Sequence, residues 1–155
     1  MSRSDKLQGF TLIEILVVVA LIAILAAVTI VAINPGKNFA DTRNATRSSD
    51  VAAILNAVTQ YTSEEGHSLS QLGTIPDCDA TPAEIGDPTD DGCGSTCVDL
   101  ETYLVDEYLV AIPTDPQDDG EYANGTGYTI CETGTGRVQI EATNAENDAT
   151  ISVRR

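Results

Sequence analysis

The sequence predicts an α+β fold in which a long N-terminal helix, apolar in its first half and amphipathic in its second, packs against a small antiparallel sheet. Three observations predict it: a nearly unbroken apolar run over residues 10–33, apolar residues at helical spacing over 51–61, and C-terminal segments of alternating polarity joined by a Gly-flanked turn.

Length allows one modest exported domain beyond the run, which alone takes 24 of the 155 residues. With no Trp and only two Phe, the rest has a thin core. Net charge is −16, and between Arg47 and Arg137 there are 18 Asp and Glu but no Lys or Arg. Phosphate binding needs cations, so no nucleic-acid contact by this acidic part is expected. It reads instead as a self-repelling soluble face, or as half of an assembly interface or a cation site. Cys78, Cys93, Cys97 and Cys131 all follow the run. An even count in a small, thin-cored domain predicts two disulfides and an oxidising compartment. The intervals form no paired zinc knuckles, and "CGSTC" is not a Cys-x-x-Cys redox motif.

The first element is the apolar run. As a helix it extends about 36 Å, enough to cross a hydrocarbon layer of ~30 Å with some tilt. It is too long for the core of a cleaved secretory signal. A plain membrane anchor leaves Glu14 unexplained, because an acid well inside a spanning helix costs about 2.5–3.5 kcal/mol. A third reading explains both features: "MSRSDKLQG" is a leader cut after Gly9, and the ammonium group created on Phe10 partners Glu14, about one turn away or on a staggered neighbouring helix. Gly9 lets a protease approach the backbone closely.

The stretch "KLQGFTLIEILVVVALIAILAAV" resembles the class III signal of type IV pilins and pseudopilins. The resemblance covers about the first 40 residues closely and the remainder by architecture. It implies that a prepilin peptidase cuts after Gly9 and methylates Phe10, and that Glu14 guides entry of the subunit into a helical homopolymer. It also implies a head outside the cytoplasmic membrane before assembly and a surface filament afterwards. The implied partners are an assembly platform with its ATPase machinery and minor pilins. On this reading residues 1–9 are leader, 10–33 the membrane and assembly helix, 34–66 a kink and the amphipathic half of the stem, and 67–155 a disulfide-braced head.

After the run, "INPGKN" places Pro35 and Gly36 where a kink or locally melted segment is expected. Pilin stems also carry a Pro in this region, though a little earlier. Val51, Ile54, Leu55, Val58 and Tyr61 then form an amphipathic stripe that Gly66 terminates. Arg43 and Arg47 lie on its polar side and read as solvated; the rival reading pairs them with acids of an adjacent subunit. Residues 68–96 read as a long loop, and 98–110 as a short helix. Sequence permits three disulfide connectivities; Cys78–Cys93 bracketing the loop, with Cys97–Cys131 pinning the next segment, is the natural choice. "GYTICE" and "GRVQIEA", joined by "TGT", form a hairpin, and "ATISV" is a third strand. The order of helix, loop and sheet resembles a pilin head, and "YLVAIPTDPQ" is similar to the junction before the sheet in major pseudopilins.

No enzyme chemistry is legible: neither a Gly-x-Ser-x-Gly elbow nor a phosphate-cradling loop is present, and His67 stands alone beside a Gly. No cofactor is expected. Calcium is the one metal with candidates, Asp115, Asp118, Asp119 and Glu121 in one group and Asp87, Asp90 and Asp91 in another; neither has the alternating spacing of the helix-loop-helix calcium loop. Some pseudopilins bind calcium near the first group. Asn44-Ala-Thr and Asn124-Gly-Thr match the short glycosylation triplet, and Tyr122 and Tyr128 read as sheet packing. The reading is a type IV pilus subunit. A pseudopilin of a type II secretion or DNA-uptake machine is the alternative, and a single-pass anchored binding protein is the alternative from another class.

Overall fold

A computed structural model describes residues 9–89, 93, 96–118 and 124–155. The leader before Gly9 and the acids Asp90, Asp91, Asp119 and Glu121, with Tyr122, lie outside these. The chain forms two compact units, Met1–Phe39 and Ala40–Arg155.

The first unit is built on α1 (Leu12–Ile33), in which no residue is buried. By length and composition it is the one helix among the described residues able to cross a membrane. Asn34, in the left-handed region at φ 45°, ends it. The next helix, α2 (Pro35–Ser63), starts in this unit and contributes its residues from Ala40 onward to the second.

In the second unit the α2 stripe is as periodicity predicts: Val51, Ile54, Leu55, Val58 and Tyr61 are all buried. Their cover is a sheet of β1 (Ala83–Glu84), β2 (Tyr128–Glu132), β3 (Val138–Ala142) and β4 (Ile151–Arg154), antiparallel in that order. Strand β3 alternates buried Val138, Ile140 and Ala142 with half-buried Gln139 and Glu141, the pattern of a sheet with one wet face. Tyr128, Ile130, Leu100 and Leu104 complete the core at 0% exposure.

Two expectations change. Residues 68–96 are not one bare loop: a 3-10 turn (Leu69–Leu72) and β1 lie within them, and Ile85 bridges Val98. The hydrogen bond from Ile85 N to Tyr128 O (2.9 Å) fastens the segment to β2, and that from Val98 N to Glu84 O (2.8 Å) fastens Val98 to β1. The helix expected over 98–110 is only α3 (Glu101–Leu104). Asp99 Oδ1 accepts from Glu101 N at its start, and Asp106, with φ 73°, turns the chain away after it.

The disulfides also differ from the expected pairing: Cys78 bonds Cys131 and Cys93 bonds Cys97. Backbone geometry is the reason. Cys78 N donates to Glu132 O and Glu132 N to Pro76 O, both at 2.8 Å, so residues 76–78 run beside the end of β2 and bring Cys78 and Cys131 to a Cα separation of 4.9 Å. The Cys78–Cys131 bridge spans 53 residues and closes a loop whose denatured-state entropy makes it worth roughly 4 kcal/mol, against roughly 2 for Cys93–Cys97.

The arginines read as solvated are the largest correction, because they bind within the head. Arg47 is wholly buried. Its Nε and Nη2 donate to the two Asp115 carboxylate oxygens at 2.7 and 2.9 Å. Nη2 also donates to Gln117 Oε1 (2.7 Å), and Nη1 to Asn44 Oδ1 and Glu146 Oε2 (3.0 Å each). Every guanidinium hydrogen therefore has an acceptor. Arg43 grips Glu146 by a second fork, at 2.7 and 2.5 Å, and Asn44 holds the backbone of Glu146 at both N and O. Gly127 makes room, since its φ is +75° and an added Cβ would sit 2.8 Å from Asp115 Cβ.

The two guanidinium groups hold Glu146 low, at about 2 against an ordinary 4.5, with the Arg43 bond the larger cause. A carboxylate depressed by folding stabilises the fold above its unfolded pKa, and this is lost as pH falls through the folded one. Stability is therefore expected to fall between about pH 4.5 and 2, less so in Glu146→Gln. Asp50, raised by burial, works in the opposite direction. Urea titration of the head should also show Arg47→Met, which strands buried Asp115, losing about 3–5 kcal/mol, with Asp115→Leu added to it recovering most of the loss. A double variant no better than the single one would show that packing, not the stranded charge, sets the cost.

Candidate functional site at the start of the apolar helix

Gly9 and Phe10 precede α1 in non-helical backbone, and both are exposed, Phe10 at 80%. A Cβ placed on Gly9 would meet nothing within 4 Å, so the backbone of the Gly9–Phe10 bond is open to an approaching enzyme.

Thr11 is the N-cap of α1. Its Oγ1 accepts from Glu14 N at 3.3 Å, and Glu14 Oε2 accepts from Thr11 N at 3.5 Å, a reciprocal capping box. This relocates the carboxylate that looked misplaced. Four residues into the apolar run, Glu14 is nevertheless in the first helical turn, where unpaired N–H groups and the positive end of the helix dipole favour an acid. Thr11 is the site residue that composition and hydropathy passed over; Thr-x-x-Glu before an apolar stretch was the signal for it. The arrangement presents an accessible Gly9–Phe10 peptide bond, an exposed aromatic side chain and, four residues on, a carboxylate in a capping box whose contacts are 3.5 and 3.3 Å long.

At the other end of α1, the break falls on Asn34, the residue whose helical geometry Pro35 disfavours. Pro35 and Gly36 lie in the first turn of α2, with Pro35 leading it, where a missing N–H costs nothing and the fixed φ is already helical. Asn34 accepts from Lys37 N through its backbone O (3.1 Å) and its Oδ1 (3.4 Å), and Asn38 Nδ2 donates back to Ile33 O (3.2 Å). The break is thus a hydrogen-bonded joint and not a melted segment.

Of the calcium candidates, Asp87, Asp115 and Asp118 are described, and each is engaged in local contacts. Both Asp115 oxygens accept from Arg47, and Gln117 N shares one of them, so this carboxylate serves an ion pair. Asp118 follows in a turn from Asp115 O, and Asp87 closes its own turn onto Thr89, whose N and Oγ1 both lie 2.7 Å from Asp87 Oδ1. Among the described residues no three His, Cys, Asp or Glu side chains group as a metal site. His67 stacks on Tyr61 with ring centroids 4.3 Å apart, and Tyr128 packs in the core with its hydroxyl on Asp50 at 2.8 Å. Asn44 uses its amide within the arginine cluster, so its glycosylation triplet is folded into the head.

Residues 6–30 match the family described as the prokaryotic N-terminal methylation motif. Over 85 residues the chain is 37% identical to the type II secretion system core protein G of Escherichia coli (strain K12), a match covering 49% of this chain and 57% of that protein. The chain thus spans little more than half the length of the curated relative it matches. No solved structure matches it. The motif, the relative and the architecture of apolar helix followed by four-stranded sheet agree in their likeness to type IV pilin-like proteins.

Loss of the cap is expected to fray the first turn. In detergent, Thr11→Ala should speed amide exchange at Glu14 and Ile15 about fivefold, the equivalent of ~1 kcal/mol, while Glu14→Gln should stay near wild type because its amide still accepts from Thr11 N. Fraying in Glu14→Gln with none in Thr11→Ala would mean that the charge of Glu14, not the box, holds the turn.

Proposed function

We propose that this chain is a structural subunit of a type IV pilus, cut by a prepilin peptidase after Gly9 and assembled through α1 into a filament. The carrying observation is the coincidence of an accessible Gly9–Phe10 bond, Glu14 one turn inside, and a helix whose every residue is unburied. In the uncut chain Glu14 caps its own helix; once Phe10 carries a free, methylated amine, the carboxylate has a cationic partner, on its own chain or on a staggered neighbour. Each group offsets the desolvation of the other within an apolar bundle. The subunit waits in the cytoplasmic membrane with its head outside, and an ATPase-driven platform, minor pilins and other copies of itself are its partners. Its role is mechanical, without catalysis.

A second reading has one specific observation in its favour. The likeness to core protein G extends over 85 residues, well beyond the 25 of the methylation motif, and so supports a pseudopilin of a secretion or DNA-uptake machine. That reading shares every step above and differs in filament length and reach. A single-pass binding protein would share the helix but keep its leader and stay monomeric.

Mass spectrometry of sheared surface material and of membranes tests this. Filament protein starting at methylated Phe10 is expected, and subunits that keep Met1 and remain monomeric would refute it. Processed subunit confined to short envelope-bound filaments would select the secretion reading. Glu14→Gln, which keeps the cap without the charge, should be cleaved normally yet assemble at no more than about a tenth of the wild-type yield.

A further inference from the structure

The cations of the head are divided in two. Arg43 and Arg47 are bound to Glu146 and Asp115 inside it. Arg137, Arg154 and Arg155 are all exposed, and strand register gathers them at one corner. Arg154 pairs with Gln139 and donates to its Oε1 from Nε at 2.9 Å. Arg155 lies opposite Val138, joined by reciprocal backbone bonds of 2.8 and 3.0 Å, and Arg137 immediately precedes Val138. Because Val138 faces the core, alternation sends Arg137 and Arg154 to the outer face of the sheet. Arg155 turns the other way, to Asn56 Oδ1 of α2 at 3.1 Å. The corner sits where β3 begins and β4, an edge strand, ends.

A complementary patch lies at the C-terminal end of α2. Glu64 and Glu107 line one groove over the helix face, and Glu65 and Asp106, their chain neighbours, are likewise exposed. Arg155 also borders this groove, but at the turn of Asn56, about 12 Å along the helix from Glu64 and beyond direct ion-pair reach.

We infer that the Arg137, Arg154 and Arg155 corner of one head docks on the Glu64, Glu65, Asp106 and Glu107 patch of a second copy of this chain. The inference rests on the filament reading. Joined head to tail by a rotation that does not close, the two patches repeat into an open array, the arrangement the filament reading requires, whereas a two-fold pairing of the same patches would stop at a dimer. Most other facings of two heads oppose acid to acid, since the span between Arg47 and Arg137 has no cation. The rare basic corner therefore selects the register in which heads meet.

A charge swap tests it with full-length chains. The triple variant Arg137→Glu, Arg154→Glu, Arg155→Glu and the quadruple variant Glu64→Lys, Glu65→Lys, Asp106→Lys, Glu107→Lys are expressed alone and together, and assembled and processed membrane subunit are both quantified. Each alone is expected to lower the assembled fraction at least about tenfold at normal processed levels, and co-expression to restore it by alternating the two. Undiminished assembly of the triple variant, or no rescue in the mixture, overturns the contact. Should a reversal fail to accumulate, the neutral set Arg137→Gln, Arg154→Gln, Arg155→Gln takes its place: wild-type filaments should dissociate as salt rises and this set should have lost most of that response, whereas an unchanged response overturns the proposal. Wild-type subunits that are cut but never assemble sink the filament reading itself, a result distinct from intact wild-type filaments beside equally intact variants.

Discussion

A helix that buries none of its own residues governs the molecule. Fifteen large aliphatic side chains of α1 are exposed, from Leu12 to Ile33. At roughly 1.5–3 kcal/mol for each side chain taken out of water, they represent on the order of 20–45 kcal/mol, several times the ~5–15 kcal/mol that holds a domain folded. No rearrangement of a thin-cored head can cover that area. That area calls for a cover from outside the chain, by lipid or by other apolar helices.

Against that driving force the single acid in the helix is small but selective. Its position at the third residue of α1 lets the side chain satisfy its own helix terminus through Thr11. The head has the opposite design. Its acidity keeps it in water, and it folds by tying the few arginines near α2 to Asp115 and Glu146 instead of displaying them.

Local pattern made much of this legible. The spacing of Val51, Ile54, Leu55, Val58 and Tyr61 gave the buried face of α2, and alternation with a Gly-bearing turn gave β2, β3 and β4, because each is a property of a few consecutive residues. What escaped is long-range. Arg47 meets Asp115 across 68 residues and Arg43 meets Glu146 across 103, and no periodicity signals either contact. The disulfide partners were hidden for the same cause, since proximity of Cys78 to Cys131 follows from backbone pairing at Glu132. At the start of α1 the acid at Glu14 stood out against its apolar neighbours, whereas Thr11 carried a local signal that those neighbours masked.

The Cys78–Cys131 bridge has a consequence outside thermodynamics. It encloses β1, α3 and most of β2 within a covalent ring, so a protease that severs the chain once anywhere between Asp79 and Ile130 releases nothing. Both pieces stay attached, and the damaged head remains moored to its anchor. Tolerance of a single nick is a form of durability that melting temperature does not measure.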